Sequence, residues 1–403
     1  MAAARSNGVS VEEDNRALAE LTAGARVSGK LALDTEFMGE GRYRTLLCLI
    51  QLAIPDAADA SERIEVFDPL AEELDGAPLA AILVDPAIEV VVHAGRQDIA
   101  LVRRRFGTDV RNVFDTQLAA GFAGLGAQSS YESLLAETLG VRVSKSASFT
   151  RWDARPLSPE QRAYAREDVV HLLELAAELE RRLTELGRLQ WACEECEPLE
   201  RSSDERDPEA VFARLPRVRN LSASARPIAR ELVAWREQTA ARQDRPVQSI
   251  LSDAALMEIA KRRPSSRRAL EQIRGIGAGA ARRRAEELLA AVQRASGRPP
   301  EEPSEEPRRS PPRAEDAPLI ALAEALLRAR AREAHIAYEL LVAHADLQAI
   351  VAARREGGEE PDVRALRGWR RELVGEELLK LLDGRVSLSV LDRQIRIIAR
   401  SER

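Results

Sequence analysis

The chain has 403 residues, 45% hydrophobic and 31% charged, with a formal net charge of -6. That length exceeds one ordinary core, so roughly two to four domains are expected, and the composition excludes a disordered chain. With no apolar run approaching about 18 residues and only three cysteines, neither a membrane span nor a disulfide framework is expected, and the cytoplasm is the expected compartment.

Charge is segregated along the chain. Residues 217–296 carry 17 Lys or Arg against 8 Asp or Glu, so the remainder sums to -15. Arg richness by itself can follow codon usage, so the local segregation is the better pointer to a partner.

In chain order, residues 11–28 have an amphipathic pattern that predicts a helix. Strand-like runs follow at 30–37, 45–54 and 63–67, separated by loops carrying Gly39, Gly41, Pro55 and Asp56, and predict a three-stranded meander. A helix is predicted over 70–83, a short buried strand over 88–93, a helix over 96–106 and a brief strand at Val113-Phe114. Helices are predicted over 116–123, 130–139 and, without interruption, 159–188. Strands first and then alternation with helices predict an α/β unit, a mixed sheet with helices on both faces.

Residues 200–208 read as a polar linker, and residues 209–296 as about five short helices broken at Pro227, Pro246, Pro264 and Gly275-Ile-Gly277. Residues 297–316 are rich in Pro and charge and read as a tether. Residues 318–403 are again expected to be helical. The division this implies is a first domain over 1–208, a helical domain over 209–296, a linker over 297–317 and a second helical domain over 318–403.

The segment Leu31-Ala-Leu-Asp-Thr-Glu-Phe37 ends an apolar run with two acids. In a strand, Asp34 and Glu36 leave the same face, roughly 7 Å apart. Two carboxylates on a buried face are costly unless neutralised, and a divalent cation is the usual partner. Two further acids stand in informative contexts. Asp98, in His93-Ala-Gly-Arg-Gln-Asp98, opens a helix just after a strand. Asp168, in Tyr164-Ala-Arg-Glu-Asp168, shares a helical face with Tyr164 at i, i+4 spacing. Acids delivered by a strand, a helix start and a late helix can converge at one end of a sheet, as two cations about 3.5–4 Å apart would require.

Asp34-Thr-Glu36, His93-Ala-Gly with Asp98, Phe114-Asp-Thr-Gln117 and Tyr164 with Asp168 resemble the motifs of the ribonuclease D family. That family lies in the DEDD superfamily of 3′→5′ exonucleases and has a ribonuclease-H-like fold. The resemblance covers roughly residues 12–200 and includes the segment Lys145–Leu157. Ala163 stands where one branch of the superfamily has His, while Tyr164 matches the Tyr branch; Gln97 stands where the family has an acid.

The resemblance implies a 3′→5′ exoribonuclease that trims RNA 3′ ends, such as those of tRNA precursors, and releases nucleoside 5′-monophosphates. It implies two divalent ions, Mg²⁺ or Mn²⁺. Asp34, Glu36 and Asp168 would hold one, Asp34 and Asp98 the other, and Tyr164 would orient the attacking water. A DNA exonuclease would use the same centre, and a decayed active site would leave a nucleic-acid-binding protein. The presence of all four carboxylates and Tyr164 argues against decay.

Lys145, Arg151 and Arg155 flank the late motif and can neutralise phosphates, with Phe149 and Trp152 among them as stacking groups. Phe37 and Met38 follow the acids and suit either a wedge against a terminal base or core packing. Asp115 reads as a helix N-cap and His93 as a packed, hydrogen-bonded side chain. Cys193 and Cys196 supply only half of a zinc site.

The block at 217–296 resembles the helicase-and-RNase-D C-terminal (HRDC) domain through Leu232-Val-Ala-Trp235-Arg, the run Ile250–Leu256 and Ile273-Arg-Gly-Ile-Gly277. The Gly275-Ile-Gly277 turn can present amides to a phosphate, and the cluster Lys261-Arg262-Arg263 suits backbone binding without sequence readout. Residues 318–403 match that domain faintly and read as a degenerate second copy. The expected partner is RNA, with no membrane, and the expected assembly is a monomer.

Overall fold

The apolar run around Leu31 and Leu33 forms β1 (Lys30–Met38), the middle strand of a five-stranded sheet in the order β3-β2-β1-β4-β5. The computed structural model describes residues 11–56, 61–143, 151–276, 283–301 and 313–399. β2 (Leu46–Pro55) and β3 (Glu62–Phe67) complete an antiparallel meander with β1. β4 (Glu89–Val92) and β5 (Val113–Asp115) run parallel to β1, each reached through a helix. The carboxyl ends of β1, β4 and β5 therefore lie at one edge of the sheet, where α/β folds gather their functional groups.

The two faces of the sheet are covered differently. Leu31, Leu33, Leu52 and Val90 face a core shared with α1 (Val11–Ser28), α2 (Ala77–Leu83) and α3 (Arg96–Phe106). On the opposite face, small Ala32 and Ala53 with Val91 admit a second helical layer close to the sheet. That layer contains α4 (Thr116–Phe122), α5 (Tyr131–Thr138), α7 (Leu172–Glu185) and α8 (Leu189–Cys196). α6 (Pro159–Glu167) opens on a complete capping box between Ser158 and Gln161 and contacts β3.

Three elements depart from the sequence reading. Residues 70–76 are turns rather than helix; Asp75 accepts from Ala77 N at 3.0 Å, and α2 begins only at Ala77. The helix expected over 159–188 breaks between α6 and α7, with His171 in a left-handed conformation at φ 69°. The side chains of Tyr131 and Glu62 capture the backbone there, through Val170 O and His171 N. The last stretch, expected to be helical, is a hairpin of β6 (Val386–Leu391) and β7 (Gln394–Ala399). Alternating Val-Ser-Leu-Ser-Val and the positive φ angles of Asp392 and Arg393 suit a tight strand turn.

Residues 208–296 build a separate core on Leu232, Trp235, Leu256, Ile259 and Leu288. It docks against the loop after β1: Arg42 pairs with Asp244 at 2.7 Å, and the Tyr43 hydroxyl donates to Glu237 at 3.0 Å. Residues 317–382 instead share one core with α4, α5, α7 and α8. Trp369 stacks on Trp191 at 5.1 Å and meets Phe122 edge-on. Gly121 permits this approach, since an added Cβ would stand 2.8 Å from Leu340. No helix among the described residues is long and apolar enough to cross a membrane.

Candidate active site

Asp34 and Glu36 sit near the end of β1 on the face covered by α6 and α7, and a bulge between Glu36 and Phe37 then ends the alternation. Phe37 emerges 39% exposed, while Met38 packs against a small cluster containing Trp152 and Tyr164. Parallel β4 brings the Gly95 turn to the same sheet edge, and Asp98 follows as the third residue of α3, where the helix dipole favours a negative charge. Asp98 is buried and accepts a hydrogen bond from the Thr35 hydroxyl. Asp168 is the residue that caps α6, one turn after Tyr164.

Asp115 helps set this geometry. Asp115 accepts from Gln117 N at 2.8 Å and Leu118 N at 3.3 Å, capping α4, and from Ala94 N and Gly95 N at 3.1 and 3.0 Å. It thereby ties the turn before α3 to the start of α4, and so fixes where Asp98 begins. His93 is held through Nδ1 to the Thr116 hydroxyl at 3.0 Å and packs against Tyr131.

The four carboxylates perturb one another. Burial, then Asp98, Asp168 and Glu36, push Asp34 well above the usual carboxylate range. Burial, then Asp168 and Asp98, push Glu36 up to about 8. Asp168 rises to about 7 through burial and then Glu132 and Glu167, and Asp98 to about 6 through burial opposed by the Thr35 hydroxyl. Burial and the nearby acids push Tyr164 up to about 12, so its hydroxyl is a donor, not a base, at neutral pH.

Among the described residues, no Lys or Arg forms an ion pair with Asp34, Glu36, Asp98 or Asp168. Nor does any group of three His, Cys, Asp or Glu side chains stand close enough to hold a metal ion as placed. Asp98 is engaged by the Thr35 hydroxyl. The donor set nevertheless fits a divalent cation: hard carboxylate oxygens, largely buried, with no Lys or Arg paired to them among the described residues.

The nucleic-acid candidates fare differently. Arg151 is exposed beside Asp153. Arg155 is taken up structurally, paired through Nε and Nη2 with Asp68 at 2.6 and 2.8 Å and donating to the carbonyls of Trp152, Ala154 and Cys48. Trp152 is buried with its ring 5.9 Å from that of Tyr164, so neither residue presents a surface to a phosphate or base. The Lys261-Arg262-Arg263 cluster is exposed at the end of a helix; Arg262 pairs with Glu258 and Arg263 with Ser224. Gly275 adopts φ +94°, whereas Lys145, Phe149 and Gly277 lie outside the described residues.

The sequence reading passed over Thr35, Tyr131 and Gln51. Gln51 had a signal: it is the one amide in the apolar run Leu46–Ile54. Thr35 and Tyr131 had none, because their roles depend on which helices pack over them.

Residues 9–184 match the 3'-5' exonuclease family and residues 225–292 the HRDC domain. A ribonuclease D of Granulibacter bethesdensis is 38% identical over 385 residues, covering 94% of each chain. The chain belongs to the ribonuclease D family. A ribonuclease D of Acidiphilium cryptum is 35% identical and covers 96% of each chain. The crystal structure of Escherichia coli RNase D, described as an exoribonuclease involved in structured RNA processing, matches with a TM-score of 0.77 at 28% identity, over 92% of this chain and 97% of that one. As a ribonuclease D, the chain carries its 3′→5′ exonuclease domain on the five-stranded sheet and its HRDC domain on the helices that dock against the β1 loop.

Proposed function

We propose that this exoribonuclease removes nucleotides from RNA 3′ ends by metal-assisted hydrolysis, releasing nucleoside 5′-monophosphates, with tRNA precursors and similarly structured RNAs as substrates. The observation that carries this reading is the set of four carboxylates, each raised by burial and neighbouring acids, with no Lys or Arg paired to them among the described residues. Two divalent ions held there would lower the pKa of the attacking water and offset charge on the departing 3′ oxygen.

Asp34, Glu36 and Asp168 would hold one ion, and Asp34 with Asp98 the other. Tyr164, protonated at working pH, orients the attacking water through its hydroxyl. Thr35 holds Asp98 at the mouth of α3. Phe37 and Met38 border the place where the terminal base would lie, and exposed Arg151, with Lys145 and Phe149 in the same segment, would contact the strand behind it. Lys261, Arg262, Arg263, Gly275 and Gly277 would hold RNA backbone further from the cut. The enzyme acts as a monomer in the cytoplasm, in keeping with three free cysteine thiols.

The test is turnover of matched RNA and DNA oligonucleotides with Mn²⁺, with products identified by chromatography. Faster release of 5′-monophosphates from RNA is the expected result; equal or faster release from DNA refutes the RNA assignment.

A further inference from the structure

Gln51 is fully buried in the middle of β2, and neither its Nε2 nor its Oε1 finds a hydrogen-bond partner. An orphaned buried amide is destabilising, so such a group calls for an explanation. Its neighbours on β2 are Leu, Ile and Ala, any of which would fill the position without that cost.

Its place in the sheet supplies the explanation. Gln51 lies directly opposite Asp34 across the antiparallel β1–β2 ladder, before the bulge disturbs the register. Directly opposed residues send their side chains out of the same face, about 5 Å apart at Cβ. The carboxamide therefore leaves the sheet beside the carboxylate at the centre of the acidic set. On its other side, across β3, stands Val66, which offers no polar partner.

We propose that Gln51 is a positioning residue for the metal-binding centre: its Nε2 is placed to donate to the Asp34 carboxylate, and its Oε1 to accept from a water of the hydrated site. This rests on the divalent-metal reading of the four acids given above. The amide suits the task because it is neutral. A Lys or Arg opposite Asp34 would pair with the carboxylate and compete with a cation for it. A leucine would leave the carboxylate oxygen that faces the sheet without a donor. An amide satisfies one oxygen and leaves the carboxylate's charge for the cation.

Gln51→Leu and the unbranched Gln51→Met separate this role from a merely structural one. Mn²⁺ binding is measured by calorimetry on the full chain, melting is followed in EDTA, and RNA cleavage is followed against Mn²⁺ concentration. The proposal predicts unchanged or raised melting temperatures in EDTA, because an unsatisfied buried group has been removed. It also predicts Mn²⁺ binding weakened about tenfold. Cleavage should recover at high Mn²⁺, with KM for RNA unchanged.

Lowered melting in EDTA, or loss of the fold in both variants, would mark the amide as a structural donor and overturn the proposal. If wild type binds Mn²⁺ and both variants bind it equally well, this proposal alone fails. If wild type binds no Mn²⁺, the reading of the four acids fails and takes the proposal with it.

Discussion

Replacing Arg155 by Leu discriminates between the role its sequence context suggests and the role its contacts give it. Asp68 is 1% exposed, and its carboxylate receives two bonds from Arg155, at 2.6 and 2.8 Å, besides one from Leu70 N at 2.9 Å. Leu in place of Arg155 leaves that carboxylate buried without its cation, which costs about 3–5 kcal/mol. Spread over a domain of roughly 200 residues, this lowers the melting temperature by ~6–20 °C. The three carbonyls that Arg155 gathers belong to Cys48, Trp152 and Ala154, and Trp152 packs against Tyr164. Cleavage should therefore fall through kcat as Tyr164 loses its support, with little change in KM for RNA. The double variant Asp68→Leu, Arg155→Leu removes both charges and should recover much of the lost stability, giving a non-additive cycle. Thermal melting and steady-state cleavage of a labelled oligonucleotide measure both effects. An unchanged melting temperature with a raised KM would refute this account and restore Arg155 as a phosphate contact.

Thr35→Val removes the hydroxyl that holds Asp98; Mn²⁺ affinity by calorimetry should drop about tenfold with the fold retained, and an unchanged affinity would contradict the link. In EDTA, stability should fall as pH rises. Folding raises Glu36 to about 8, Asp168 to about 7 and Asp98 to about 6, so the native protein binds more protons than the unfolded chain above about pH 4, and stability is lost as those groups ionise up to about pH 8. Mn²⁺ binds the ionised carboxylates, so melting curves with Mn²⁺ should diverge from those in EDTA increasingly toward pH 8; a constant gap would show that the acids are not the ligands. Trp369→Ala opens the stack with Trp191 and Phe122, costing about 3–5 kcal/mol. Limited proteolysis should then release residues beyond 313 more rapidly, and unchanged resistance would mean the C-terminal helices are held elsewhere.

The strands and most helices of the exonuclease domain are legible in the sequence because short apolar runs are punctuated by loops carrying Gly, Pro and Asp. Leu31 and Leu33 face one core, Asp34 and Glu36 the other layer, as a period of two requires. Asp34 and Glu36 stand out because charge at the end of an apolar strand has few explanations; Asp98 and Asp168 are picked out by their motif context. The break between α6 and α7 is not legible. Val169 to Leu173 has no Gly or Pro, and the helix ends because Tyr131 and Glu62, distant in sequence, capture its backbone. Arg155 and Trp152 mislead for a related reason. A basic and aromatic stretch reads alike whether it faces solvent or closes over Asp68 and Tyr164. Nor does the sequence show that the Pro-rich tether leads to helices sharing the exonuclease core, since Trp191, Phe122 and Trp369 are apolar in either case.

The central claim, that Asp34 and its neighbours catalyse 3′ trimming, is tested most directly by digesting a 5′-labelled RNA with a single-stranded 3′ tail in Mn²⁺. Wild type should give a ladder shortening from the 3′ end, Asp34→Asn none, and Tyr164→Phe a much slower one, with all three proteins melting as folded chains. A ladder of undiminished rate from Asp34→Asn, or none from wild type with either Mg²⁺ or Mn²⁺, would contradict it.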